Sequence, residues 1–334
     1  MRALPFAPGP SRARARGAAL LMALMVVALI SALASAALWQ QSLQFNVEST
    51  ERDAQQARWL LGSALDWARL VLRQDALSSK IDALTEPWAV PLKEVKLSAF
   101  LAAIGNNVDD TSGLTNDIFL SGRISDLQSR LNVRNLYDTG KIIPTEADKF
   151  RHLFQLLDLP MSELESLLKA LALASTPRSG KNANLTLMPQ RVEQLSWFGL
   201  SHETLKKLAP YVTWLPLKTS LNLNTASAPV LQSAILGLDA SNAKRLVSQR
   251  DEHPWDNLES VRLALGRTTA IISDTDHTIS SNFFEIFCQM RMHEILMLER
   301  SVVQRDGINV KTLWRERRPQ GSELGCPISV PQPC

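Results

Sequence analysis

The densest run of side chains able to hold a cation is Asp109-Asp110-Thr111-Ser112-Gly113-Leu114-Thr115-Asn116-Asp117, where carboxylate, hydroxyl and amide oxygens crowd a short stretch. Hard oxygen ligands in a flexible loop suit calcium better than a transition metal, with Asp109, Asp110 and Asp117 as the candidate ligands. The spacing is not that of an EF-hand, and a solvated loop has the same composition. The five histidines (His152, His202, His253, His277 and His293) are scattered, and none has a second ligand at metal spacing. There is no Gly-x-Ser-x-Gly elbow, no Gly-x-x-x-x-Gly-Lys-Ser loop and no nucleotide-binding glycine loop. Serine, histidine and aspartate coexist without forming a recognisable triad. The expectation is a protein that is not an enzyme, with calcium the one cofactor its residues suggest.

Three cysteines, Cys288, Cys326 and Cys334, are the disulfide candidates. In an oxidising compartment an odd count leaves one thiol over. Cys326 and Cys334 bound the Pro-rich tail CPISVPQPC and could close it as a small loop, leaving Cys288 free. A bond from Cys288 to the tail would instead staple that tail to the core. Both pairings stay open.

A further constellation runs from Leu221-Asn222-Leu223-Asn224-Thr225-Ala226 through Leu236-Gly237-Leu238-Asp239 to Ala243-Lys244-Arg245. It resembles the helix-hairpin-helix module of competence DNA receptors, in which a hairpin with two glycines offers backbone amides to phosphate. Here Asp239 stands at the second glycine, and Glu203, Asp251, Glu252, Asp256 and Glu259 surround it, so no basic face forms. A membrane-anchored DNA-binding protein of this type is the alternative reading, and no nucleic-acid partner is expected. The formal charge of +3 includes Arg2, Arg12, Arg14 and Arg16, which leaves −1 from Ala18 onward. The basic balance is thus a property of the first residues and gives no argument for a polyanion.

These residues hang on a long apolar stretch. From Ala18 to Trp39 there are 22 residues without charge or proline, about 33 Å of helix, enough to cross a bilayer core. Arginines precede it and Glu48, Glu51, Arg52 and Asp53 follow, which orients the N-terminus to the cytoplasm and exports the rest. A secretory signal would be cut near Ala32-Leu33-Ala34 or Ser35-Ala36-Ala37. The junction Arg16-Gly17-Ala18 instead resembles the processing site of type IV prepilins and pseudopilins, in which a prepilin peptidase cuts after the glycine and the new N-terminus, here Ala18, is methylated. Beyond Trp39 the apolar positions Leu43, Val47, Ala54, Ala57, Leu61, Ala64, Ala68 and Leu72 continue at helical spacing, so a single helix over 18–73 is expected.

Leu65-Asp66-Trp67-Ala68-Arg69, Glu86-Pro87-Trp88-Ala89, Gly122-x-Ile124-x-Asp126 and Asn132-x-x-Asn135-Leu136, in this order, resemble the minor pseudopilin K family of type II secretion (general secretion pathway protein K). The resemblance implies an α+β, type IV pilin-like fold: a long N-terminal transmembrane helix packed on an antiparallel sheet, interrupted by an inserted all-α domain of SAM-like or helix-hairpin-helix kind. It implies a leader at 1–17, a transmembrane part at 18–40, a periplasmic helical part at 41–74, a first pilin-like half at 75–142, an insert at 143–270, and a second half with tail at 271–334. Most pseudopilins carry a glutamate at the fifth mature position; here it is Met22, which is the protein K pattern and, with the bulky insert, implies a position at the pseudopilus tip. The implied role is to nucleate pseudopilus assembly in the bacterial inner membrane with I, J and H type minor pseudopilins, after prepilin peptidase processing. Calcium in the globular part is also implied.

The residue pattern gives details to check. Ile118 to Asp126 reads as a hairpin or two short strands broken at Gly122. Thr145 reads as the start of a helix, with Met161 to Leu173, Val192 to Leu195 and Ser201 to Ala209 as further short helices. From Thr278 the period becomes two, and Asp306-Gly307 turns the chain into a last strand with Ile308, Val310, Thr312 and Trp314 on one face.

Overall fold

The computed structural model describes residues 13–103, 118–176, 187–266, 268–292 and 295–319. Asp109, Asp110, Asp117, Cys326 and Cys334 lie outside them. The chain forms two compact units, Met1–Arg58 and Trp59–Cys334. Helix α1 covers Ala13–Ser78, starting five residues earlier and ending five later than the apolar pattern predicts. Pro10 is the last residue that bars a helix, and the alternating alanines and arginines after it are good helix formers.

In the first unit Ala18–Phe45 is long and apolar enough to cross a membrane, with a mean hydropathy of 2.5 and its side chains exposed. In the second, α1 buries Leu61, Ala64, Leu65, Ala68 and Leu72, one face at spacings of three and four.

That face lies on a five-stranded sheet of β1 (Leu92–Lys96), β2 (Ile118–Asp126), β3 (Phe283–Met292), β4 (Ile295–Asp306) and β5 (Asn309–Pro319). The spatial order is the chain order and every pairing is antiparallel. Strand β2 precedes the helical segments and β3 follows them, yet they pair from Ile118↔Met292 to Asp126↔Phe284. The helices between them are therefore an insertion into one sheet. The break expected at Gly122 is absent, because β2 is one continuous strand. A Cβ at Gly122 would stand 2.9 Å from the Phe287 carbonyl oxygen, so this glycine serves close strand approach, not a turn. In β5 the expected alternation is broken: Thr312 pairs with Val303 and Trp314 with Val302. This bulge turns Trp314 onto the cluster of Leu127, Leu215, Phe283 and Val302.

Short helix α2 (Leu97–Ala103) follows β1, and the insert holds α3 (Pro144–Leu156), α4 (Met161–Ser175), α5 (His202–Leu208), α6 (Ala228–Ala234), α7 (Ala240–Glu252) and α8 (Leu258–Leu265), with a 3-10 turn at Val192–Phe198. None is long enough to stand alone, and all share one apolar core. That core runs from Leu131 to Ile272 and includes Val133, Leu136 and Tyr137. The insert thus begins near Leu131, not at 143: residues 131–142 lack helical period but pack with the helices. The first turn of α3 starts at Pro144, with Ile143 at the cap in place of Thr145. Two parallel two-residue pairings, Leu131–Asn132 with Val212–Thr213 and Leu221–Asn222 with His277–Thr278, tie the entry and exit of the insert.

Candidate functional site

The family-like motifs converge on the joint between α1, the sheet and the insert. Arg69 donates from Nε and Nη2 to the Val310 carbonyl, at 3.0 and 2.6 Å, and so satisfies an edge carbonyl of β5. Trp67 meets Phe100 edge-on at 5.1 Å. Glu86 accepts from the Ala83 amide and from Trp88 Nε1, and buried Trp88 stands edge-on to Phe284. Asn132 accepts from the amides of Arg134 and Leu215 and donates to the Leu217 carbonyl, while Asn135 exchanges two bonds with the Thr219 backbone. Each asparagine mimics a backbone unit and pins two loops of the insert.

At the centre is Arg305, near the end of β4. Its Nη1 donates to Asp75 at 2.8 Å, and its Nη2 donates to both oxygens of Asp82 at 2.6 Å and to the Ser281 carbonyl at 2.9 Å. Its guanidinium stacks on Phe284. Asp126 accepts from the Gln128 amide at 2.7 Å, Thr225 Oγ1 at 2.5 Å and Ser281 Oγ at 2.6 Å. Asn222 Nδ2 lies 3.0 Å from Asp126 Oδ2 and 3.0 Å from the Asp82 carbonyl. All of these side chains are buried. Burial pushes Asp82 up to about 7, helped by Asp126 and opposed by Arg305. Burial also raises Asp75, helped by Glu86, and raises Asp126 against its four donors.

Asp126 closes the Gly122-x-Ile124-x-Asp126 motif, whereas Asp75 and Asp82 do not stand out in the sequence. Oxygens of Asp75, Asp82 and Glu86 lie within 4.8 Å of one another, a spacing a cation could use. Arg305 already donates to Asp75 and Asp82, and Glu86 is taken by Ala83 and Trp88, so this cluster does not fit a resident calcium.

The hairpin of the helix-hairpin-helix segment is exposed at Leu236, Gly237 and Asp239, but its amides are not free for a phosphate. Asp239 caps α7, accepting from the Asn242 amide at 2.7 Å, so a carboxylate occupies the amides that would face a phosphate. Arg250 is buried and donates to the Leu223 and Ala226 carbonyls. Gly237 alone keeps the hairpin geometry, at φ +80° against Thr269. The backbone of Gly17 and Ala18 is helical, and Met22 is exposed on that helix. Among the described residues Cys288 is a buried free thiol, pushed up to about 12 by burial and by Glu299.

Two family models, both described as type II secretion system (T2SS) protein K, match residues 129–217 and 221–276, covering the insert and the joint's Asn132, Asn135, Asn222 and Thr225. Over both segments the chain is similar to the type II secretion system protein K family. Members of the protein K family are minor pseudopilins of type II secretion, structural proteins and not enzymes. Protein K of Pseudomonas aeruginosa is 24% identical over 313 residues, 86% of this chain and 88% of that protein. Protein K of Pectobacterium carotovorum subsp. carotovorum is 25% identical over 341 residues, 91% and 97% of the two chains. Among solved structures, the GspK-GspI-GspJ complex from the enterotoxigenic Escherichia coli type 2 secretion system contains a chain with the same fold. The TM-score is 0.62 at 18% identity, over 80% of this chain and 98% of that one.

Proposed function

We propose that this minor pseudopilin caps the pseudopilus tip and nucleates its assembly with I, J and H type minor pseudopilins. One observation carries the reading: the helices of the insert are fixed into the sheet between β2 and β3, a mass too bulky to repeat around a thin helical shaft. Met22 supports it. A filament-forming carboxylate buried in lipid needs a partner ahead of it, and an apolar residue at that place needs none. The similar chain solved with GspI and GspJ supports partners of that kind. Ala18–Phe45 anchors the chain once in the bacterial inner membrane, N-terminus cytoplasmic and globular part periplasmic, and prepilin peptidase cuts between Gly17 and Ala18 and methylates Ala18. Nucleic acid is not a partner in this reading, which the buried Arg250 and the capping Asp239 support.

Trp59, Leu70 and Leu77 are exposed on α1 at spacings of 11 and 7, one outward stripe for partner helices. Aspartate at all three positions is expected to lower co-purification of full-length chain with I and J type partners more than tenfold, since each buried apolar side chain contributes about 1.5–3 kcal/mol. Its own unfolding temperature stays unchanged. Undiminished co-purification would overturn this assignment of the interface.

Calcium is proposed for the Asp109-Asp110…Asp117 loop, on its oxygen-rich composition. Saturating calcium is then expected to stabilise the full chain against a chelator by about 2–3 kcal/mol at a hundredfold excess over Kd. Asp109→Asn with Asp110→Asn removes that shift; no shift in the parent protein sinks the calcium site.

A further inference from the structure

The joint holds more acid than base. Asp75 comes from the last turn of α1, Asp82 and Glu86 from the segment after it, Asp126 from the end of β2 and Arg305 from the end of β4. The insert contributes Asn222 and Thr225, and the start of the β3 segment Ser281, all neutral. Asp75 and Asp82 grip the same guanidinium, and their carboxyl oxygens lie within 4.8 Å of each other and of Glu86. Two ionised carboxylates so placed in a dry site repel, and one cation does not neutralise both. Asp126 takes its hydrogen bonds from neutral groups, the Gln128 amide, Thr225, Ser281 and Asn222, which oppose the rise that burial imposes on it.

We propose that Asp75 and Asp82 share one proton in the folded joint, and that its loss as pH rises loosens the hold of the insert on α1 and the sheet. Burial raises both acids, Asp82 to about 7. A raised acid contributes stability that is complete below its unfolded value, near 4, and is lost as pH climbs to the folded value. The joint's opening constant therefore rises about tenfold per pH unit between 5 and 7 and levels off above. His277, in the adjoining pairing with Leu221, runs the other way: burial and Lys149 pull it down to about 4, so its contribution is lost as pH falls below about 6.5. A ratio between two proteins that both keep His277 cancels this.

The test is hydrogen exchange at the amides of Asn222 and Ser281, which donate to Gln128 and Asp82, in the full chain in detergent micelles from pH 5 to 8, corrected for intrinsic rate. Asp82→Asn and Asp75→Asn are compared with the parent. The ratio of parent to variant opening constants is expected to climb about tenfold per pH unit to pH 7 and then stay flat. A ratio independent of pH would overturn the proposal. Should Asp82→Asn not fold, Asp75→Asn gives the same ratio. Infrared spectroscopy adds a second readout: the carbonyl band of a protonated carboxylic acid is expected in the parent at pH 6, gone at pH 8.5 and missing from Asp82→Asn, and its absence from the parent at pH 6 refutes the shared proton.

Discussion

Arg305→Ala is expected to cost about 3–5 kcal/mol, because it strands buried Asp75 and Asp82 without a cation. Against a typical total of about 5–15 kcal/mol, a loss of that size removes about a third or more of the stability of a protein in the lower half of that range. The damage has three parts. Two carboxylates lose their charge-assisted bonds, the Ser281 carbonyl loses a donor, and the ring of Phe284 loses the guanidinium stacked on it. Urea unfolding of the full chain in detergent reads the total. The deficit is larger at pH 8 than at pH 5, where the acids escape by protonating. Arg305→Lys keeps the charge but cannot reach Asp75, Asp82 and Ser281 together, so it falls between parent and alanine. A loss under about 1 kcal/mol would mean that the joint is held by its asparagines and apolar contacts instead, as a surface pair would allow.

The contrast between what the sequence announces and what it hides follows from range. The long helix is local information: Pro10 and Pro87 bound it, and no proline interrupts the 76 residues between them. The alternation of Phe284, Ile286, Cys288, Met290 and Met292 is local too, and these residues are buried as the period requires. The joint is not local. Asp82 and Arg305 are 223 residues apart, and Asp126 and Asn222 are 96 apart. Asn132 and Asn135 stand out as a motif, but their distant partners are chiefly backbone groups of residues 215–219, and a backbone group has no signature in sequence. Gly122 misleads for a different reason. A glycine marks a turn or a close backbone approach with the same letter, and only the Phe287 carbonyl beside it decides which. Residues 131–142 misplace the border of the insert because their burial comes from contact with α3 and α4, not from a period of their own.

Gly17→Val is expected to abolish maturation. Intact mass of the membrane-extracted chain should show all 17 leader residues retained, with prepilin peptidase present. The backbone is helical from Ala13 through Arg16-Gly17-Ala18, so the bond to be cut lies within hydrogen-bonded helix, and a protease must unwind it. Glycine lowers that cost by about 1 kcal/mol relative to alanine, and it brings no side chain to the enzyme's cleft. Gly17→Ala removes the first advantage and keeps nearly the second, so it slows cleavage roughly fivefold. Gly17→Val adds branched bulk next to the scissile carbonyl, which a site shaped for glycine excludes. The uncut chain keeps Arg12, Arg14 and Arg16 ahead of its apolar segment, and with them no free amino group at Ala18. Such a chain remains a membrane protein but does not seat its N-terminus among the helices of a tip complex. Maturation of Gly17→Val at Ala18, or cleavage of the parent near Ala34 to Ala37, would show that the glycine has no part in processing.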